Sequence, residues 1–230
     1  MSLYVSATCS MPECAGGKSL RRSIFFVLLA CGLGFAVPAS AGPLIINGSF
    51  ETASVDPGPS CLELFAGDTS IEGWEVTGLS IHYCNPGYWP ASDGMRSLDL
   101  DGETYSYGGV RQIFGTVAGL SYTVAFDMGG NNYNEPFIKP MRVSADGQSE
   151  VFEFDTRIGG YGWSALTWTF VADDDSATLE FFSLTAGTEI SGWGPLIDNV
   201  SVVPEPETRT LLLASLFGLA ALRQSIGASS

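Results

Sequence analysis

The sequence predicts an all-β fold, a two-sheet sandwich of the jelly-roll type, set between two apolar segments that do not belong to it. Three observations lead there. Between Gly42 and Val203 apolar and polar residues alternate over short runs. Gly, Asp, Asn and Pro clusters punctuate those runs at regular spacing. No stretch of this body keeps a helical apolar period long enough to form a packed helix. Many short strands joined by Gly-rich turns bury their apolar faces best by stacking two sheets.

Each strand has its own justification. Ser121–Met128 places Tyr122, Val124, Phe126 and Met128 on one face and Thr123, Ala125 and Asp127 on the other. Met141–Ala145 and Val151–Asp155 flank Asp146-Gly147, a pair suited to a tight hairpin because both residues tolerate positive φ. Ala165–Val171 and Ala177–Leu184 follow, separated by the acidic turn Asp173-Asp174-Asp175, and Leu196–Val202 supplies a last strand. Earlier candidates are Trp74–Val76, Met95–Leu100 and Val110–Phe114. Trp74, Trp163 and Trp168 are expected to cap the core. No internal repeat is present.

The two ends carry addressing signals. Lys18, Arg21 and Arg22 precede the apolar run Ser23–Val37 and the small-residue site Ala39-Ser40-Ala41. That order is a helical signal peptide over residues 1–41, with cleavage before Gly42 and Met11 as an alternative start. Leu29-Ala30-Cys31 offers a competing lipidation site, with bulky Leu29 against it. At the other end, Val203-Pro204-Glu205-Pro206 marks where the domain over residues 42–203 stops, because prolines fit neither strand nor helix interiors. The tail 204–230 then holds the apolar run Thr210–Leu222, closed by Arg223. Arg209 to Arg223 spans about 21 Å at about 1.5 Å per helical residue, against a hydrocarbon core about 30 Å thick. It is a short transmembrane segment, able to enter a bilayer by thinning it and by snorkelling of its arginines.

Charge and cysteines narrow the function classes. The body holds five Lys and Arg against twenty-two Asp and Glu, a formal charge of −17. Nothing in it could neutralise phosphates, so nucleic acid is excluded as a partner, whereas neutral glycans and divalent cations suit an acidic surface. Cys9, Cys14 and Cys31 leave with the leader; Cys61 and Cys84 remain and are expected to pair in an oxidising compartment.

Four stretches, taken in order, resemble a known family. Leu44–Glu51 (Leu-Ile-Ile-Asn-Gly-Ser-Phe-Glu) looks like the opening strand of galactose-binding-like domains. Gly73–Val76, Asp93–Leu100 and Leu196–Val202 follow it. The set is similar to the choice-of-anchor C family, kin to a large family of unknown function found in plant cell-wall proteins. That resemblance implies a galactose-binding-like sandwich with carbohydrate-binding modules as relatives. The tail resembles the PEP-CTERM sorting signal, in which Val-Pro-Glu-Pro precedes a short transmembrane helix that the membrane peptidase exosortase processes. Arg209 and the lone Arg223 depart from its usual apolar start and arginine cluster. An ordinary C-terminal anchor or a buried helix is the alternative. The resemblance implies export to the envelope, outer surface or extracellular matrix of a Gram-negative bacterium. Its partners would be the export machinery, exosortase and, transiently, the membrane.

Candidate site residues fall into two groups. Glu51 ends the first expected strand and Asp198 sits in the last, and a jelly roll can bring these two ends of the chain together. Carboxylates there suit a structural calcium ion, as in related carbohydrate-binding modules; the alternative is that both accept hydrogen bonds from loop amides. Loop rings and amides form the second group: Tyr83, Tyr88 and Trp89 around Cys84-Asn85-Pro86-Gly87, and Asn131, Asn132 and Tyr133. Sugar recognition needs ring faces for the apolar side of a pyranose and amides or carboxylates for its hydroxyls. Asp99-x-Asp101-x-Glu103 lacks the calcium-loop spacing and is expected to be a solvated turn. His82 is the lone histidine and no Gly-x-Ser-x-Gly elbow exists, so nucleophilic hydrolysis has little to draw on.

A non-catalytic module that binds exopolysaccharide or cell-wall glycan therefore leads. A structural matrix protein without sugar recognition is the alternative, and a glycan-active enzyme using paired carboxylates is a third reading.

Overall fold

The computed structural model describes residues 43–103, 107–133, 135–185 and 193–205. The signal segment 1–41 and the apolar run Thr210–Leu222 lie outside these residues. Among them, eleven strands and one helical turn follow in order: β1 Cys61–Phe65, β2 Glu75–Gly78, β3 Ser80–Cys84, β4 Ser97–Asp99, β5 Gly108–Gly115, β6 Ser121–Gly130, β7 Ile138–Ala145, β8 Gln148–Asp155, α1 Thr156–Gly159, β9 Ser164–Val171, β10 Ser176–Ser183 and β11 Pro195–Pro204.

These strands build two antiparallel sheets, β1-β3-β4-β11-β6-β9 and β2-β5-β10-β7-β8. The run from β4 to β11 is a jelly roll. β4, β11, β6 and β9 lie side by side in one sheet and β5, β10, β7 and β8 in the other. The chain crosses between sheets at every step except the β7–β8 hairpin. That hairpin turns at Asp146 and Gly147, whose φ values of 48° and 71° match the turn expected of this pair.

The predicted alternation becomes burial. Tyr122, Val124, Phe126 and Met128 of β6 face the core, opposite Met141, Val143, Leu179 and Phe181 from the second sheet. Phe126 stands edge-on to Phe181 with centroids 5.2 Å apart, and Trp74 packs against Phe50 at 5.2 Å. Each such fully buried side chain stabilises the sandwich by about 1.5–3 kcal/mol. Trp74 and Trp168 lie in this core as expected. Trp163 does not: it packs with Cys84, Trp89 and Leu196 on the outer face of the first sheet, where its indole N–H donates to the Pro90 carbonyl at 3.0 Å.

Two further expectations are corrected. Leu44–Glu51 is not a strand. Asn47 and Phe50 take positive φ of 54° and 58°, and the Gln112 amide clamps both the N–H and the C=O of Ile46, at 2.7 and 2.9 Å. A Cβ on Gly48 would fall 1.8 Å from the Val200 carbonyl oxygen, so this segment crosses β11 by a close approach that only glycine permits. Pro204 does extend a strand. It pairs with Tyr122 at the end of β11, where β4 has already stopped and a missing N–H costs nothing on the open side.

Cys61 and Cys84 form a disulfide between paired residues of β1 and β3, their Cα atoms 4.1 Å apart. It fastens the edge strand β1 to the sheet. In the chain-entropy account, closing this loop stabilises the fold by about 3.4 kcal/mol. Replacing both cysteines by serine should lower the unfolding free energy measured in urea by about that amount and steepen its urea dependence, because the uncross-linked chain unfolds to a more open state; an unchanged midpoint would show that β1 holds its place without the bond.

Candidate functional site

On the outer face of the first sheet, alternation puts His82 and Cys84 of β3, Asp99 of β4 and Leu196 of β11 opposite the core-facing Ile81, Tyr83, Leu98 and Ile197. Registry aligns them, with His82 across from Asp99 and Asp99 across from Leu196. Residues 85–90 leave β3 and fold back over this row. The Asn85 carbonyl accepts from the N–H groups of Tyr88 and Trp89, both at 3.0 Å, which lays the Trp89 ring on Cys84 and Leu196. Tyr161 packs against Trp89 at 5.1 Å. The result is a cavity of about 280 Å³ lined by Ser60, the disulfide, His82, Tyr88, Trp89, Asp99, Glu103, Asn131 and Leu196.

Its floor is a buried polar network. The Asp99 carboxylate, 3 % exposed, accepts from Asp101 N at 3.0 Å, Gly194 N at 2.9 Å and the Asn131 amide at 3.0 Å. Burial, then the neighbouring Asp101 charge, pushes its pKa up to about 7. Burial raises Asp101 to about 6, eased by the Ser183 hydroxyl and the Lys139 charge. Lys139 is fully buried, its pKa lowered by desolvation, and its ammonium donates to the Trp193 carbonyl at 2.5 Å. Glu103 faces His82 at 3.6 Å, and its own N–H donates to Glu63 at 3.0 Å. The Asp99–Glu103 string is thus no solvated turn. Its first two carboxylates are buried because they organise the cavity floor and its surroundings.

The expected sugar-contacting residues separate clearly. Tyr88, 58 % exposed, stands at the rim, Trp89 forms a wall, and Asn131 lines the cavity. Tyr83 is a core residue, 1 % exposed, whose hydroxyl donates to the Phe50 carbonyl at 2.8 Å, which removes it from any ligand surface. Asn132 is half-buried and lies outside the cavity lining, with its amide oxygen unpartnered. Tyr133 lies outside the cavity lining, two residues beyond cavity-lining Asn131, and stacks on Trp193 at 5.5 Å. Asp99, Glu103 and His82 were absent from the expected contacts. The signal for Asp99 was present in the strand itself, where Leu98 and Leu100 point inward and force Asp99 to the other face.

Glu51 and Asp198 converge on one loop, 92–96. Glu51 Oε1 accepts from Met95 N at 2.6 Å and Arg96 N at 2.7 Å. Asp198, wholly buried at a bulge in β11, accepts from Ser92 N at 2.7 Å and Asp93 N at 2.9 Å through one oxygen and from Asn199 N at 2.7 Å through the other. Burial raises its pKa to about 6, against the pull of those amides. Calcium needs oxygen donors around it, and these carboxylates are faced by N–H groups instead, so the pair does not fit a calcium ion as placed. Among the described residues no group of three His, Cys, Asp or Glu side chains is arranged to hold a metal.

The raised carboxyl pKa values set a sign for stability. Asp99, Asp101 and Asp198 bind protons more readily folded than unfolded, so the folded state gains from mild acid and loses as pH rises through about 6 to 7. Thermal midpoints should therefore rise from pH 8 to pH 5, and Asp99→Asn should flatten that rise. A midpoint that falls over the same interval would show these carboxylates to be stabilised as anions.

Solved structures similar to this chain share low identity with it. One, described as "CBM4 structure and function", is 21 % identical with a TM-score of 0.41, over 70 % of this chain and 99 % of that one. TmCBM61 in complex with β-1,4-galactotriose is 20 % identical with a TM-score of 0.43, over 72 % and 100 %. A family 35 carbohydrate-binding module from Clostridium thermocellum is 11 % identical with a TM-score of 0.38, over 61 % and 97 %. No curated protein matches the chain. The sequence profile of one family, however, spans residues 43–203, from the clamped N-terminal segment to the end of β11. The chain belongs to DUF642, a family of proteins of unknown function.

Proposed function

We propose that this domain is an exported, non-catalytic glycan-binding module and that the cavity on the first sheet is its sugar site. The cavity carries the reading. It sets the rings of Tyr88 and Trp89 beside the polar groups of Asp99, Asn131, His82 and Glu103, the combination a pyranose needs for its apolar face and its hydroxyls. A cavity of about 280 Å³ takes a sugar unit and little more. The Asp99 carboxylate of its floor is tied into two backbone amides, which suits it to accepting hydroxyl hydrogen bonds in a fixed frame.

Binding to a panel of purified polysaccharides, by affinity electrophoresis with calcium and then with EDTA, tests the site. Tyr88→Ala leaves the core untouched, since that ring is exposed, and should weaken binding about tenfold. EDTA should change nothing, because Glu51 and Asp198 already serve the 92–96 loop. A folded protein that ignores every glycan would sink the sugar reading in favour of a structural role in the envelope or matrix.

The chain ends support export and sorting. The basic and apolar leader with Ala39-Ser40-Ala41 reads as a signal peptide, and Val203-Pro204-Glu205-Pro206 before the Thr210–Leu222 run resembles a PEP-CTERM tail, beside the four body stretches that resemble the choice-of-anchor C family. In this reading exosortase removes the tail at the membrane of a Gram-negative host, leaving the module at the outer surface or in the matrix. Intact-mass measurement of envelope and secreted fractions checks it. A C-terminus retained through Leu222 in every fraction would refute processing.

A further inference from the structure

We infer that the Tyr133–Trp193 ring pair is a second stacking station, so that the domain grips an internal stretch of an uncharged polysaccharide rather than a free chain end. This inference rests on the cavity being a sugar site. Three observations carry it.

The first is position. β3 leaves the sheet at Cys84, opposite Ser97, the first residue of β4, and the loop bearing Tyr88 and Trp89 comes from that side. Tyr133 and Trp193 come from the other side. Pro195, which opens β11, pairs with Gly130, which ends β6, and Asn131 N donates to the Gly194 carbonyl at 3.0 Å. The residues just outside those two strand ends are therefore neighbours, and Asn131 among them lines the cavity. A chain lying across the polar floor would meet one aromatic group on each side.

The second is exposure combined with order. Tyr133 is 78 % exposed, yet its ring lies 5.5 Å from that of Trp193 at an interplanar angle of 30°. A ring so solvated gains little from folding, and the pair presents a flat apolar surface to water. Its supports are fixed from below. Tyr133 N donates to the Asn131 side-chain oxygen at 3.2 Å, Asn131 donates to Asp99, and the Trp193 carbonyl is held by buried Lys139. A platform held ready in this way spends little ordering entropy on binding.

The third is charge. Asp99 and Glu103 line the cavity, and the body carries −17. Uronate or sulfated chains would bring like charge to that floor, while neutral hydroxyls can donate to it. The cavity also lies just below the usual range of roughly 300–1,000 Å³ for ligand sites, so a longer chain must find its remaining contacts outside it.

Titration calorimetry with neutral galactan, xylan and β-glucan, their mono- and disaccharides, and polygalacturonate tests the inference on the full protein, Tyr133→Ala and Tyr88→Ala. For whichever neutral glycan binds, Tyr133→Ala should weaken the polymer about five- to tenfold, leave the monosaccharide unchanged, and be rescued by Tyr133→Phe. Tyr88→Ala should weaken every length. Polymer affinity unaltered in Tyr133→Ala, with Tyr88→Ala still impaired, would overturn the second station and leave the cavity reading standing. A preference for polygalacturonate would overturn the neutral assignment. A folded protein that binds none of these glycans would overturn both readings together.

Discussion

The carboxylate of Asp99 is the interaction on which the site depends. It is buried, and it accepts from the backbone of Asp101, the backbone of Gly194 and the side chain of Asn131. Those donors belong to three chain segments far apart in sequence: the exit of β4, the approach to β11 and the exit of β6. Taking a carboxylate out of water costs several kcal/mol, and the charge-assisted hydrogen bonds of about 1.5–3 kcal/mol each offset part of that cost, leaving the Asp99 pKa raised; losing any one of them would raise the cost further. The arrangement is therefore cooperative. Asn131 holds its place in the cavity because Asp99 holds it, and Tyr133 because Asn131 does.

A similar logic governs the loop 92–96 on the same sheet. Glu51 and Asp198 each present one oxygen to two successive backbone amides, and Asp127 adds a bond to the Ser92 hydroxyl at 2.9 Å. Acidic residues are abundant here, and several of them act as acceptors for loop backbone that no strand can satisfy. Other acids, such as Asp173, Asp174 and Asp175, stay on the surface and add to the protein's charge. One composition thus serves two purposes, and it is the nearby loop amides that separate them, since Glu51 accepts from Met95 and Arg96 while remaining exposed.

How far this could be read from the residues varied with the physics involved. Alternation in β6 and the Asp146-Gly147 turn were legible because each depends on local preference alone. β1 and β3 were not, since Cys61–Phe65 and Ser80–Cys84 are short, and β1 is an edge strand fastened by a disulfide. Leu44–Glu51 reads as a strand by its apolar residues, but the Gln112 clamp that shapes it lies sixty-six positions away. The pairing of Cys61 with Cys84 followed from counting. Of the site, Tyr88, Trp89 and Asn131 were legible as loop rings and amides. Tyr83 differs from Tyr88 only in standing on a strand face, where alternation turned it inward. Trp193 and Tyr161 gave no signal, because their roles exist only once β11 and the segment after α1 are in place.

The position of β11 also bears on how the chain acquires its shape. It lies between β4 and β6, and its partners precede it by roughly seventy to one hundred residues. A ribosome or a translocation channel delivers residues in order, so the first sheet has a gap through its middle until Pro204 has emerged. Before then the inward faces of β4 and β6 have no strand between them, and closing such long loops is slow. The sandwich must therefore assemble late, after nearly all of its length is available, and the peptide that follows Glu205 is joined directly to the strand that completes it.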